Sequence, residues 1–272
     1  MLASMAEVMW EGRTALVTGA SSGLGAEFAR QIANRGGSVV LLARSEGKLN
    51  ELANALGKNG KGRAEILVAD LSLPGEAARV VQELAARDIV IEHLINNAGV
   101  GRAKSMAKDD VSFLLNMVQV NCTALTALTS LFLPAMVKRG SGGIIQVASV
   151  LAFSPCPYQA TYAATKAFVK SLTEGLAIEL EGTGVRTTAV CPGHVQTGFQ
   201  VAAGFGEGAL SVPGELSAEK TVTLALRAYE RGNTVVVTGF MNRLSVFFGG
   251  LLPRSWVARI SASVLRKMGR FD

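Results

Sequence analysis

The chain has 272 residues, 49% of them hydrophobic, with 30 glycines and a net charge of +6. That length and composition bury a large core in one domain, or at most two. Five of the six net charges lie beyond Phe240, where Arg243, Arg254, Arg259, Arg266, Lys267 and Arg270 face Asp272 alone; a nearly neutral body argues against a nucleic-acid binder, whose basic stripe belongs on the folded body.

Arg13 to Thr18 reads as a first strand, followed by the turn Gly19-Ala-Ser-Ser-Gly23-Leu-Gly25 and a helix from Ala26 to Asn34 that Gly36-Gly37 stops. Ser38 to Ala43 is a second strand ending at Arg44, and a helix through Leu49, Leu52 and Leu56 follows. Ala64 to Ala69, ending at Asp70, is the third strand. Pro74 marks the start of a helix reaching about Arg87, because its missing N–H costs nothing there. Ile89 to Ile95 is the fourth strand and ends in Asn96-Asn97-Ala98-Gly99. One long helix is expected from Asp109 to Met136 with Asn121 inside it.

Gly143 to Ala148 has the apolar run of a buried parallel strand, and Ser149 ends it. Gln159 opens an alanine-rich helix running through Leu180, which carries Tyr162 and Lys166 four residues apart on one face. Val185 to Cys191 is the sixth strand and ends in Pro192-Gly193. Glycine-rich sequence from Gly198 to Pro213 is expected as a mobile loop. A helix from Ala218 to Arg231 then leads to a seventh strand, Thr234 to Thr238.

Seven strands alternating with helices predict an α/β protein with an open, doubly wound, Rossmann-type parallel sheet covered on both faces. Residues 10–239 would form this domain and 240–272 a tail. Ligands bind at the carboxyl ends of strands in such sheets. Gly19, Arg44, Asp70, Asn97, Ser149 and Pro192 all fall at those ends.

The glycine turn suits a backbone that must approach a pyrophosphate at a helix N-terminus, although its spacing differs from the usual G-x-G-x-x-G. At the end of the second strand an acidic residue would bind an adenosine ribose; Ala43 and Arg44 stand there instead. Such an arginine can hold a 2′-phosphate, favouring NADP(H) over NAD, or can be an ordinary solvated arginine. Ser149, Tyr162 and Lys166 bring a hydroxyl, a phenol and an ammonium to one small volume. A free tyrosine has a pKa near 10, too high for ready proton exchange at neutrality. An ammonium within ~4–6 Å favours the phenolate, and Ser149 can donate to an oxygen that gains negative charge.

TGASSGLG from Thr18 to Gly25, NNAG from Asn96 to Gly99, the helical Asn121, Ser149, Tyr162-x-x-x-Lys166 and Pro192-Gly193, in this order, resemble the short-chain dehydrogenase/reductase family over about residues 10–240. The resemblance implies a homodimeric or homotetrameric NADP-dependent oxidoreductase acting on a carbonyl or alcohol. Ser149 would position the carbonyl, Tyr162 would move the proton, Lys166 would hold the nicotinamide ribose and lower the tyrosine pKa, and Asn121 would support a water relay. Gly19, Ser21, Ser22, Gly23, Leu24 and Gly25 would cradle the cofactor, and Arg44, Asp70 and Leu71 would hold its adenosine end. Asn97, Ala98 and Gly99 would line it, and Pro192, Gly193, Val195 and Thr197 would flank the nicotinamide. The alternative is a dinucleotide sensor or scaffold that keeps the fold without turnover.

The remaining features are subordinate. Cys122, Cys156 and Cys191 lack metal spacing and fit a reducing, cytoplasmic setting; Cys122 and Cys191 read as small buried packers. His93 reads as structural, and His194 lies near the substrate at most. Two histidines without clustered carboxylates give no expected metal site, and no Gly-x-Ser-x-Gly elbow points to a hydrolase. Met1 to Trp10 lacks the basic start and apolar core of a secretory signal. No run is expected to reach the ~20 apolar residues of a spanning helix. In the tail, Leu244 to Leu252 is apolar but broken by Gly249-Gly250 and Pro253, and Arg254 to Met268 patterns as a basic amphipathic helix. Two readings fit it: contact with an anionic membrane surface, or packing on the body as a cleft cover or subunit interface. Such tails resemble the 3-ketoacyl and hydroxysteroid reductase branch. With Phe199, Val201, Phe205 and Leu210 they point to a lipophilic substrate.

Overall fold

The computed structural model describes residues 10–59, 62–195, 197–199, 203 and 214–267. Val201, Phe205, Leu210, Met268, Arg270 and most of the expected loop from Gly198 to Pro213 lie outside the described residues.

Seven strands, β1 (Thr14–Thr18), β2 (Ser38–Ala43), β3 (Ala64–Val68), β4 (His93–Asn96), β5 (Gly142–Val147), β6 (Val185–Cys191) and β7 (Val235–Val237), form one sheet in the order β3-β2-β1-β4-β5-β6-β7. Every neighbouring pair is parallel. The order reverses between β1 and β4, and the diverging loops there leave a crevice at the carboxyl edge.

The helices on one face are α1 (Gly23–Asn34), α2 (Glu46–Asn59) and, from the far end of the chain, α7 (Ala218–Glu230). The other face carries α3 (Glu76–Ala86), α4 (Val111–Val118), α5 (Leu125–Arg139) and α6 (Ala160–Glu179). Because both faces are covered, adjacent strand residues feed opposite cores. Val17, Ile95 and Ile145 pack with Phe28, Ile32 and Tyr229, while Leu16, Leu94 and Ile144 pack with Leu128, Phe132 and Met136. This is why β2, SVVLLA, reads as an apolar run rather than an alternating one.

Five expectations need correction. The fourth strand begins at His93, not Ile89: Asp88 takes a left-handed φ of 54°, and the Ile89 N–H folds back to the Leu84 carbonyl. Val90 is exposed and Ile91 enters the core without joining the ladder. Pro74 sits in a turn ahead of α3, which starts at Glu76 behind Gly75 in left-handed conformation. The long helix runs from Val111 to Arg139, but a π-helical turn, Gln119–Ala124, separates α4 from α5. By length and composition alone it could cross a bilayer, contrary to expectation; Met117, Leu125, Leu128, Phe132 and Met136 bury its inner face, which marks it as a core helix. In the tail, α8 (Phe240–Leu251) passes straight through Gly249-Gly250, and α9 (Arg254–Lys267) begins only after Pro253.

One buried cluster ties the first described residue to the last core helix. Trp10 donates from Nε1 to Glu230 at 2.8 Å and packs against His93, with ring centroids 4.7 Å apart. His93 Nδ1 lies 2.7 Å from the hydroxyl of the fully buried Tyr229. Gly143 faces that hydroxyl, and a Cβ there would collide with it. Burial, reinforced by Arg13, Arg186 and Arg139, pushes the His93 pKa down to about 3. The unfolded chain therefore binds a proton that the folded chain refuses between pH 6.5 and about 3. Stability is fully present above that window and is lost as pH falls through it. From His93 alone, urea unfolding at pH 5 should show about 2 kcal/mol less stability than at pH 7. His93→Gln should flatten that difference, and an equally steep pH profile in this variant would remove His93 as its source.

Candidate active site

The first wall of the crevice is the turn between β1 and α1. Gly19 has φ 66°, and a Cβ on Gly25 would collide with the Gly19 carbonyl oxygen, so α1 starts against the strand end only with glycine at both positions. Ser22 stands at the N-cap without capping it, and the first turn of α1 carries no acidic side chain. A helix end of this kind suits an external anion. Behind the turn, between α1 and α2, lies a cleft of about 380 Å³ lined in part by Ser21, Ser22, Gly23, Arg30 and Lys48. Leu24 packs at the edge of the neighbouring core.

Thr18 joins this turn to the next. Its hydroxyl accepts the Asn97 and Ala98 N–H groups at 3.0 and 2.9 Å and donates to the Ile95 carbonyl at 3.3 Å. Asn97 returns the link by donating to the carbonyls of Thr18 and Gly19. The two asparagines of the NNAG motif part company, because successive strand residues point to opposite faces. Asn96 turns inward to Thr129 and Gln146, while Asn97 serves the turn.

At the ends of β2 and β3, Arg44 and Asp70 face each other with 3.9 Å between Nη1 and Oδ2. Burial alone would raise the Asp70 carboxyl, but hydrogen bonds from Ser72, with help from Arg44, outweigh it and hold the pKa below its ordinary value. Leu71, the next residue, is buried in the core. The exposed Arg44 stands at this corner, and Lys48 and Arg30 line the cleft together with Glu51.

The chemical centre lies at the end of β5. Lys166 is buried on α6 and donates from Nζ to the Val147 carbonyl at 2.8 Å. Burial pulls its pKa down to about 8, against a small opposing effect of the Cys122 and Cys191 thiols. The Tyr162 phenol is pushed well above its ordinary value by desolvation, and a hydrogen bond with Ser149 only partly offsets this. The lowered tyrosine pKa expected from Lys166 is therefore absent in this state: the ammonium is engaged with Val147 and stands 5.7 Å from the ring centroid. Ser149 also accepts the Leu151 N–H at 3.2 Å, which fixes its hydroxyl at the start of a short 3₁₀ turn.

Asn121 sits in the π-helical turn, where the extra residue swings it out of the α-helical register toward the crevice. Its Oδ1 accepts the Val100 N–H, and its Nδ2 donates to the Val100 carbonyl and to Thr165, each within 3.0 Å. It thereby ties the loop after β4 to α6. Gly99 lies between Asn121 and Lys166, close enough that a Cβ would stand 3.2 Å from Oδ1 and 3.4 Å from Nζ.

The last wall follows β6. The Pro192 carbonyl accepts the Val150 N–H at 2.9 Å, binding this loop to the Ser149 turn. Gly193 is covered by Asn242, Val195 bridges to Leu216, and Thr197 lies against Gly23 at the opposite lip. His194 pairs with Glu215 at 2.8 Å. Phe199, in the described part of the apolar loop, packs against the Tyr162 ring with centroids 5.8 Å apart and the planes tilted by 42°. Gly101, on which the sequence reading placed nothing, leaves room for both rings.

The glycine turn, the loop from Asn97 to Gly99 and the Ser149–Tyr162–Lys166 group thus lie together at the carboxyl edge of the sheet. Other contributors were not visible beforehand. Thr18 lay inside the glycine motif, but its bridging role needs the sheet order. The Val147 carbonyl is backbone and leaves no mark. Lys48 had a faint signal, as a second basic residue four positions after Arg44.

A sequence profile of the short chain dehydrogenase family matches residues 13–205. The chain is 38% identical over 189 residues to a short chain dehydrogenase of Pseudocercospora fijiensis, across 69% of this chain but only 61% of that protein. Among solved structures it resembles a short-chain dehydrogenase from Sphingobium yanoikuyae in complex with NADPH, with a TM-score of 0.79, 34% identity and coverage of 88% and 93% of the two chains. A bulky-bulky ketone specific alcohol dehydrogenase from Comamonas testosteroni gives a TM-score of 0.74 at 31% identity, with the same coverage of 88% and 93%. On the sheet, the crevice and these matches together, this chain belongs to the short chain dehydrogenase family of oxidoreductases.

Proposed function

We propose that the chain is an NADPH-dependent reductase of a ketone or aldehyde on an apolar molecule, reversible as an alcohol oxidation, with Tyr162 as its general acid and base. The observation that supports this reading best is the convergence of Ser149, Tyr162 and Lys166 at the end of β5, in the crevice that the glycine turn enters. The residues from Gly19 to Gly25, with Asp70, Asn97, Lys166 and Thr197, would hold the dinucleotide, which would supply or accept the hydride.

Ser149 donates a hydrogen bond to the carbonyl oxygen, and this bond strengthens as negative charge develops there. Tyr162 gives that oxygen its proton. A phenol whose pKa is raised by burial stays protonated at neutral pH, which is the form that reduction requires. Lys166, with a pKa near 8, keeps its charge at neutrality and offsets the phenolate left behind. Asn121 holds the loop after β4 and α6 at a fixed spacing. The apolar contact of Phe199 with Tyr162 supports a lipophilic substrate, as does the likeness to an enzyme whose title names bulky ketones. A pure scaffold would have no use for a buried ammonium beside a phenol.

The Arg44, Lys48 and Arg30 corner supports a 2′-phosphate and hence NADPH over NADH. The likeness to an NADPH complex supports the same choice. Exposed apolar side chains on α4 and α6, Val111, Leu115, Phe168 and Ile178, support a homodimer or homotetramer. We place the enzyme in the cytoplasm, with peripheral membrane contact through residues 240–272.

Three outcomes check this reading. Tyr162→Phe should cut turnover by about 10²- to 10⁴-fold while leaving NADPH binding nearly intact; substantial residual turnover would remove Tyr162 from the role. In a thermal-shift titration NADPH should raise the melting temperature more than NADH. Arg44→Ala should weaken NADPH about tenfold, equivalent to about 1.4 kcal/mol, and leave NADH unchanged. Equal loss for both cofactors would sink the phosphate assignment. Finally, kcat/KM for NADPH should fall as pH rises through about 8, where Lys166 loses its proton; a flat profile across that range would show that this charge is not needed.

A further inference from the structure

The two tail helices break the rule that a surface helix turns its apolar side inward. On α8 the partly buried side is Asn242, Val246 and Gly249, anchored by a 2.7 Å bond from Asn242 Nδ2 to the Thr238 carbonyl. The opposite arc, Phe240, Leu244, Phe247, Phe248 and Leu251, faces outward, with Phe240 69% and Phe247 62% exposed. On α9, Val257, Ala258, Ser261 and Leu265 are partly buried, and Trp256, Ile260 and Val264 form a second exposed ridge at i, i+4 and i+8. No aspartate or glutamate occurs from Phe240 to Lys267, while Arg243, Arg254, Arg259 and Arg266 are exposed there.

We infer that α8 and α9 form a docking surface for an anionic lipid bilayer: the aromatic arc of α8 enters the acyl boundary and the arginines meet the headgroups. This extends the peripheral-contact reading above and commits it to a lipid charge and a set of inserting residues. Apolar insertion and electrostatic attraction are the two signals that stable surface attachment requires, and each is weak alone. A second copy of this chain fits poorly, because an isologous contact would set arginines against arginines with no carboxylate between them.

The position of the surface also has a use. Arg266 donates from Nε to the Tyr158 hydroxyl at 2.7 Å, so the far end of α9 meets the loop just ahead of α6. Tyr158 holds a left-handed φ of 62° and borders, with Arg102, Lys104, Met106, Asp109 and Tyr162, a small groove. A lipophilic substrate would leave the bilayer beside that groove rather than cross water.

The test is co-sedimentation of the full chain with vesicles of phosphatidylcholine alone and of an equimolar mixture with phosphatidylglycerol, at low and high salt. We expect binding to the mixed vesicles, little to the neutral ones, and release by salt. Phe247→Ser with Phe248→Ser should reduce bound protein about tenfold or more without changing the melting temperature, since both side chains are exposed. Arg254→Glu with Arg259→Glu should abolish the preference for anionic lipid. No sedimentation with either vesicle, or phenylalanine variants that sediment like the parent, would overturn the proposal. So would light scattering that shows the parent as a larger assembly and the phenylalanine variant as a smaller one, which would assign the face to a second copy. Sedimentation needs no turnover, so an inactive protein that binds the mixed vesicles would sink the reductase reading and leave this one standing.

Discussion

A buried ammonium needs an acceptor, and in this molecule the acceptor is the last carbonyl of a central strand. The bond from Lys166 to Val147 sets where α6 stands along β5. It thereby sets the height of Tyr162 above the sheet and its reach to Ser149 at the strand's end. Breaking it would strand a charge in the interior, at a cost well beyond that of an ordinary hydrogen bond. The neighbours are arranged around this requirement. Asn121 presses the loop after β4 against α6, Gly99 leaves room beside the ammonium, and the buried thiols of Cys122 and Cys191 offset only part of the cost of burying the charge.

That arrangement sets a tension between folding and chemistry. Burial favours a neutral phenol and a weakened ammonium, while proton transfer needs the phenol to cycle through its charged form. The ammonium stands 5.7 Å from the ring centroid. In the proposed reduction the protonated ground state would be the donor, and the phenolate would be reached with that charge nearby.

Much of this architecture was legible because the sheet is covered on both sides. Strands such as Ala15 to Val17 and Val39 to Leu42 carry no polar face that could be mistaken for a loop, and the turns between strands announce themselves in glycine, asparagine and proline. The motif residues were legible because their chemistry is local: a phenol and an ammonium four apart share a helical face wherever the helix goes. What escaped was long-range. Nothing in Ile89 to Ile91 reveals that the preceding helix will end in a left-handed Asp88. Nothing in the apolar run around Asn121 distinguishes a π turn from an α turn. Gly249 and Gly250 look like a break, yet an exposed helix end with small residues tolerates them. The raised tyrosine pKa depends on how much low-polarity matter surrounds the ring, a property of the whole fold.

The cluster of Trp10, His93 and Tyr229 carries a consequence for how the protein is made. Trp10 and its hydrogen-bond partner Glu230 are 220 positions apart, and the helix that bears Tyr229 leaves the ribosome after six of the seven strands. Until it arrives, the sheet face around Ile95, Ile145 and Val190 has the α1 side chains Phe28 and Ile32 but lacks Val222, Leu226 and Tyr229, and part of its apolar surface stays open. Non-local closure of this kind is slow and open to mispairing. Closure of this face is therefore a late event, and a chain truncated before residue 218 keeps this core open on one side.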